Sequence, residues 1–250
     1  MTRLIQGDCL EVMDKLIEEG VKVDAIITDP PYGTTACKWD NVIPFEEMWP
    51  RLKALRKERT PIVLFGSEPF SSLLRVSNLK EYKYDWIAIK SRPVGHPNAK
   101  KMPLKNIETI SVFFKNNYYP QGLKPFKKII KNSKNHTNKG KEKHLTGLNG
   151  GRFKDEWLQE FTNYPKQTIE YSSLGKTVHP TQKPVALLEY LIKTYTLEGD
   201  TVLDFTMGSG TTAVACKNLN RNFIGIELDK NYFEIAKERI ESTVIQDTLF

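Results

Sequence analysis

Thr201-Val-Leu-Asp204-Phe-Thr-Met-Gly208-Ser-Gly210-Thr211-Thr212 is the stretch on which the reading of the fold turns. A short β-branched run passes through a glycine-containing turn into a helical pattern, as a strand does when it feeds a helix in an α/β protein. Gly208 and Gly210 let the backbone approach a ligand closely, and the helix beyond them offers unpaired amides to a carboxylate or phosphate. One strand later comes Ile224-Gly-Ile-Glu227-Leu-Asp229, in which Glu227 ends the strand and is placed to accept hydrogen bonds from a ribose diol. Together these features point to a nucleoside-containing cofactor. Gly208-x-Gly210-x-x-Ala213 also satisfies a dinucleotide fingerprint. Against an NAD-linked oxidoreductase stand Asp204, just before the glycines, and the 40 residues after Gly210, too few for a whole dinucleotide fold unless the order is permuted.

Further upstream, the apolar run Asp24-Ala-Ile-Ile-Thr28 leads straight into Asp29-Pro30-Pro31-Tyr32. Two prolines remove two backbone donors and fix φ, so the chain leaves the strand stiff, extended and unable to begin a helix. A carboxylate, a carbonyl and an aromatic ring are thereby held at the carboxyl edge of a sheet, where open α/β sheets bind ligands. Such a site suits an exocyclic amine: Asp29 and the Pro30 carbonyl each accept one N–H, and Tyr32 stacks on the ring. A strand-terminating turn in which Asp29 caps local amides would use the same residues. A third signal, His179-Pro-Thr181-Gln-Lys183-Pro184, reads either as a simple helix entry with Thr181 as a polar cap or as one that also brings the Lys183 cation near the same cofactor pocket, and spacing alone does not decide between them.

The whole chain alternates short strands with helical patterns, which argues for βαβ units and a largely parallel sheet. Seven strands are expected: Leu4–Gln6, Ala25–Thr28, Ile62–Phe65, Trp86–Ile89, Thr109–Phe114, Val202–Phe205 and Phe223–Ile226. The stretch 116–178 breaks this alternation. Between Lys115 and Lys154 it holds eleven Lys/Arg against one acid, Glu142, while the other 210 residues carry 26 basic and 29 acidic side chains. A solvated surface explains such a block; so does a lobe that neutralises the phosphates of a polyanion.

A mean hydropathy of −0.46 and 27% charged residues describe a globular protein. No apolar run reaches the ~20 residues of a membrane span and no signal-peptide core opens the chain, so no membrane association and a cytoplasmic location are expected. Cys9, Cys37 and Cys216 are too scattered for a disulfide framework or a zinc site, and no metal is expected.

The order Asp29-Pro-Pro-Tyr32, His179-Pro-Thr-Gln-Lys-Pro184, Asp204-Phe-Thr-Met-Gly-Ser-Gly-Thr-Thr212, Ile224-Gly-Ile-Glu-Leu-Asp-Lys-Asn-Tyr232 closely resembles the S-adenosylmethionine-dependent amino-group DNA methyltransferases, in the motif order of their β subgroup. The resemblance covers nearly all of the chain outside the Lys-rich stretch. It implies an α/β, Rossmann-like class I methyltransferase fold, a permuted seven-stranded, mostly parallel sheet with an inserted target-recognition region. Residues 1–115 would form the catalytic half, 116–178 the inserted basic region and 179–250 the cofactor-binding half. Asp29, Pro30, Pro31 and Tyr32 are then catalytic. Asp204, Gly208, Gly210 and Thr211 carry over to the methionine end of S-adenosylmethionine, Glu227 to its ribose, and Thr181 and Lys183 to the methionine carboxylate or its surroundings. Asp8 would meet the adenine amine, although Asp8 with Glu11 also makes a capping box for the first helix.

The resemblance implies adenine N6 as the target, because relatives acting on cytosine N4 more often have Ser where this chain has Asp29. Methylation at cytosine C5 needs a thiolate nucleophile, usually after a proline, and none of the three cysteines follows one. Double-stranded DNA is the implied partner, and Lys90, Lys101, Lys124, Lys127, Lys128, Lys131 and Arg152 the candidate contacts. Lys90, Asn98-Ala-Lys100-Lys101 and Glu108 resemble a family region reaching the DNA or the flipped base, although solvated lysines and a strand-flanking acid account for them equally. A homodimer and a companion restriction endonuclease are both compatible with the subgroup. N4-cytosine methylation, an RNA or protein-amide target, and a DNA-binding protein that keeps the fold without catalysis are the competing readings.

Overall fold

The computed structural model describes residues 1–34, 40–115, 117–131, 156–175 and 182–243. Contacts divide the chain into two units, Met1–Tyr119 with Lys166–Phe250, and Pro120–Pro165. The strands of the larger unit are β1 (Thr2–Gln6), β2 (Ala25–Thr28), β3 (Ile62–Gly66), β4 (Tyr82–Val94), β5 (Lys105–Phe113), β8 (Thr168–Tyr171), β9 (Thr201–Asp204) and β10 (Asn222–Glu227). The smaller unit contributes β6 (Lys124–Lys131) and β7 (Glu156–Thr162), an antiparallel pair. Helices are α1 (Cys9–Glu18), α2 (Phe45–Leu55), α3 (Phe70–Ser77), α4 (Val185–Tyr195), α5 (Thr211–Asn218) and α6 (Lys230–Ser242).

All seven expected strands form, and an eighth joins them in the order β1-β10-β9-β2-β3-β5-β4-β8. Every pairing is parallel except the two made by β5. The permutation is visible in this order, since β9 and β10, late in the chain, lie between β1 and β2. The eighth strand corrects the expectation of seven: Thr168–Tyr171 pairs with Ile87–Lys90 at the sheet edge. The separate unit is correspondingly narrower than 116–178, because the chain on either side of it belongs to the larger unit.

Side chains alternate across the strands and so build two cores. Ala25, Ile27, Val63, Phe65 and Val202 face α4, α5 and α6, while Ile26, Ile62, Leu64, Leu203 and Ile224 face α1, α2 and α3. The central strands β2, β3, β9 and β10 are buried on both faces, as those of a largely parallel sheet are. Each fully buried Leu, Ile or Val contributes roughly 1.5–3 kcal/mol of apolar transfer. In α1, Val12, Met13 and Leu16 are buried on the face that the sequence pattern marks. Pro184 stands just before α4, where its missing N–H costs no helical bond. No described helix is long and apolar enough to cross a membrane.

Candidate active site

The parallel neighbours β1, β10, β9 and β2 all end on one edge of the sheet, and each ends in a residue group singled out by sequence. β1 runs into Gly7-Asp8, β10 ends at Glu227, β9 at Asp204, and β2 leads into Asp29. Register fixes their heights: Gln6 lies opposite Glu227, and Asp204 opposite Gly225. A Cβ on Gly225 would meet the Met207 sulfur at 2.4 Å, so a glycine there lets the turn after β9 fold down onto β10. The four strand ends line one cavity of about 400 Å³, whose walls include Asp8, Asp29, Pro30, Tyr32, Lys183, Asp204, Gly208, Thr211 and Glu227.

On one side of this cavity the glycine turn is held from several directions. Gly208 and Gly210 have φ of 52° and 77°, the left-handed region that glycine adopts without strain. A Cβ on Gly210 would lie 3.0 Å from that of Ala236, so α6 packs directly on the turn. Glu227 accepts the amide of Gly208 through Oε2 and that of Asp229 through Oε1, both at 2.8 Å. Burial pushes the Glu227 carboxyl above its ordinary range, against the pull of these two amides. Asp204 accepts the hydroxyls of Thr28 and Thr212 and, at 3.2 Å, the amide of Thr206. Burial nevertheless raises its pKa to about 6. Asp8 caps α1 by accepting the amides of Leu10 and Glu11 at 2.8 and 3.2 Å, and it also lines the cavity.

This wall fits S-adenosylmethionine. It has a glycine, Gly208, in the cavity wall, a carboxylate at the end of β10 for a diol, and several acids around a cavity that would receive a sulfonium cation. Of the residues the resemblance assigns to it, Asp8, Asp204, Gly208, Thr211 and Glu227 line the cavity, while Gly210 packs on α6 behind the turn.

On the other side lies the proline-stiffened turn. The Asp29 carboxylate accepts the Tyr32 hydroxyl on Oδ1 and the Lys183 ammonium on Oδ2. Its side chain keeps 24% of its exposure, so the carboxylate is still reachable from the cavity. Burial raises the Asp29 pKa despite Lys183, and burial together with Asp29 keeps the Tyr32 phenol protonated. Lys183 stands in the cavity wall, as the sequence expectation has it near the cofactor pocket. Its Nζ lies on Asp29 and 3.8 Å from Glu108. Lys90, a candidate DNA contact, pairs with Glu108 at 2.7 Å; Glu108 lies opposite Ala88 on the adjacent strand, two residues before Lys90.

Asp40 escaped the sequence reading, and the surroundings of Glu108 were not foreseen in it. Asp40 is buried and accepts the amides of Tyr32, Gly33 and Thr34 at 2.7, 2.9 and 2.9 Å, holding the turn from behind. Glu108, weighed equally as a strand-flanking acid and as part of a region reaching the DNA or the flipped base, is buried between two lysines and accepts the Tyr171 hydroxyl at 3.2 Å. Thr181 and Arg152 lie outside the described residues. Lys101 is exposed in the turn between β4 and β5, and Lys124, Lys127, Lys128 and Lys131 are exposed along β6 of the separate unit.

A mostly parallel, permuted sheet with a nucleoside-type cavity and a carboxylate–tyrosine pair at its carboxyl edge defines a class I, Rossmann-like amino-methyltransferase fold. The chain belongs to the N6/N4 family of DNA methylases, whose family model matches residues 23–238. It is 29% identical over 253 residues to the Type II methyltransferase M.HpaI of Haemophilus parainfluenzae, covering 96% of this chain and 74% of that one. Among solved structures, the M1.HpyAVI–SAM complex is 32% identical with a TM-score of 0.65, covering 96% of this chain and 100% of that one. The cytosine-N4-specific PvuII DNA methyltransferase, 15% identical with a TM-score of 0.62 over 95% of this chain and 86% of that one, shares the fold.

Proposed function

We propose that this S-adenosylmethionine-dependent DNA amino-methyltransferase acts on the N6 amino group of adenine in duplex DNA. Methyl transfer to an exocyclic amine of DNA follows from the family. The choice of adenine is carried by Asp29, a carboxylate at the first position of the tetrapeptide, open to the cavity and braced by Lys183.

S-adenosylmethionine supplies an electrophilic methyl on a sulfonium. Asp29 and the Pro30 carbonyl accept the two N6 hydrogens and localise the nitrogen lone pair toward that methyl. Tyr32 stacks on the base, which leaves the duplex because a stacked amine does not align with the donor. The transfer needs no covalent enzyme intermediate. The raised Asp29 pKa suits a carboxylate that takes up the proton released when the N–C bond forms.

The basic unit Pro120–Pro165 reads the site sequence in this proposal. Its Lys side chains meet phosphates as point charges. A homodimer and a companion restriction endonuclease belong to the same reading.

Incubation with methyl-labelled S-adenosylmethionine and unmethylated genomic duplex DNA, followed by digestion to nucleosides, tests the assignment. Label in N6-methyladenine supports it, and label in N4-methylcytosine overturns the base. Asp29→Ala is expected to abolish transfer; transfer at the unsubstituted rate would overturn the catalytic role.

A further inference from the structure

Asp29 does not stand alone behind the cavity. Lys183 Nζ lies between two carboxylates from different strands, bonded to Asp29 beyond β2 and 3.8 Å from Glu108 on β5. Glu108 in turn pairs with Lys90 of β4 at 2.7 Å and accepts the Tyr171 hydroxyl of β8 at 3.2 Å. Lys183 and Glu108 are both buried, with side chains 9% and 10% exposed. Two acids and two lysines therefore alternate in a row that is neutral overall, and it reaches the cavity at its Asp29 end, where Asp29 and Lys183 line the wall.

Burying a charge without a partner is costly, so each member of such a row depends on its neighbours. Burial alone would discharge Lys183, yet Asp29 and Glu108 hold its pKa above the ordinary value. Burial would likewise protonate Glu108, but Lys183 and Lys90 bring its pKa below the usual range. Glu108 thus draws the Lys183 ammonium away from Asp29, and Asp29 draws it back.

We infer that Lys183 and Glu108 are positioning residues that set the orientation and proton affinity of Asp29, with Lys183 as a cation shared between the two carboxylates. Sharing has a chemical use. An ammonium committed wholly to Asp29 would compete with the target's N–H bonds and weaken the carboxylate as a proton acceptor. One absent altogether would leave Asp29 buried and uncharged. With Glu108 taking part of the ammonium's charge, Asp29 stays ionised while keeping lone-pair density for the amine. This inference rests on Asp29 being the catalytic carboxylate.

The groups that face Asp29 are Tyr32 on its own turn, Lys183 before α4, Glu108 on β5, Asp204 on β9 and Tyr171 on β8, with Lys90 one step further. Removing either positioning charge therefore has a definite sign. Glu108→Gln leaves Lys183 to Asp29 alone and lowers the Asp29 pKa; Lys183→Met removes the nearest cation and raises it.

The test is a carbon-13 titration of aspartate side-chain carboxyls in the full chain, with Asp29 assigned from Asp29→Asn, alongside pH–rate profiles for methyl transfer in single turnover. The Asp29 midpoint and the acid limb of the profile are expected to move down by about one pH unit or more in Glu108→Gln, and up by a similar amount in Lys183→Met. Lys183→Arg, which keeps the charge, is expected to stay near the unsubstituted midpoint and serves where Lys183→Met fails to fold. S-adenosylmethionine affinity, read by calorimetry, is expected to change less than about threefold in Glu108→Gln. Midpoints that stay still, or move the same way in both variants, overturn the inference. The titration reads Asp29 without turnover, so it separates this inference from the catalytic role: opposite movements in a protein whose Asp29→Ala variant still transfers methyl would keep the coupling and sink the function.

Discussion

The amide of Gly208 donates to Oε2 of Glu227 at 2.8 Å, tying the glycine turn after β9 to the end of β10. The other carboxylate oxygen holds the Asp229 amide, so Glu227 orders both walls that meet the nucleoside. Glu227→Gln keeps the size but turns one acceptor into a donor that faces an N–H. A hydrogen bond to a charged group is worth roughly 1.5–3 kcal/mol. S-adenosylmethionine affinity is accordingly expected to fall about 10–100-fold, measured by calorimetry. Unchanged affinity would remove Glu227 from the cofactor site.

Asp40 gives a contrasting expectation, because its carboxylate holds the turn that carries Tyr32. It gathers three successive amides, Tyr32, Gly33 and Thr34. Asp40→Asn cannot accept all three and leaves an N–H of a half-buried turn unsatisfied, at a cost of about 1–3 kcal/mol. Thermal unfolding is expected at lower temperature. The single-turnover rate is expected to drop about tenfold or more as Tyr32 loses its place. Cofactor affinity is expected to hold. A fall in affinity with an unchanged rate would show that Asp40 serves the other wall.

Asp204 sets a pH dependence. Its pKa of about 6 lies above the ordinary aspartate value, because burial penalises the charge. Its contribution to stability is therefore present at pH below the ordinary value and is lost as pH rises through about 6, where the buried carboxylate ionises. A cation in the same cavity reverses that penalty. S-adenosylmethionine, with its sulfonium, is expected to bind more tightly as pH rises from about 5 to 7, whereas S-adenosylhomocysteine, with a neutral sulfur, gains less. Calorimetric titrations of both ligands across that range check this, and parallel pH dependences would contradict it.

The strands and the cofactor wall were legible because their determinants are local. Ala25–Thr28 and Thr201–Asp204 announce themselves by apolar runs, and Gly208 and Gly210 by the turn they allow. β8 was hidden because Thr168–Tyr171 is four residues in a polar stretch, and only its register against Ile87–Lys90 makes it a strand. The brace behind Asp29 was hidden for a related reason. Lys183, Glu108 and Tyr171 come from distant parts of the chain and meet only once β2, β5, β4 and β8 lie in their final order. Asp40 lacks any repeat or spacing that would mark it, since its partners are backbone amides, which every residue type but proline supplies.

The turn between β4 and β5 carries the last expectation. Past the break in pairing between Ile89 and Val94, this hairpin holds Arg92, Lys100, Lys101 and Lys105, all exposed, with no acid from Ser91 to Asn106. It belongs to the same unit as the cavity, and unlike Lys90, Lys101 has no ion pair among the described residues. If the hairpin meets phosphates, each cation it contributes releases counterions and adds about 0.9 to the slope of log affinity against log salt. Lys100→Ala with Lys101→Ala and Lys105→Ala is therefore expected to lessen that slope by about 2–3, read by anisotropy of a labelled duplex across a salt series. Replacing Lys124, Lys127, Lys128 and Lys131 instead tests the separate unit by the same reading. A slope that changes only in the second set would assign phosphate contact to that unit alone, and the hairpin lysines would be ordinary solvated charge.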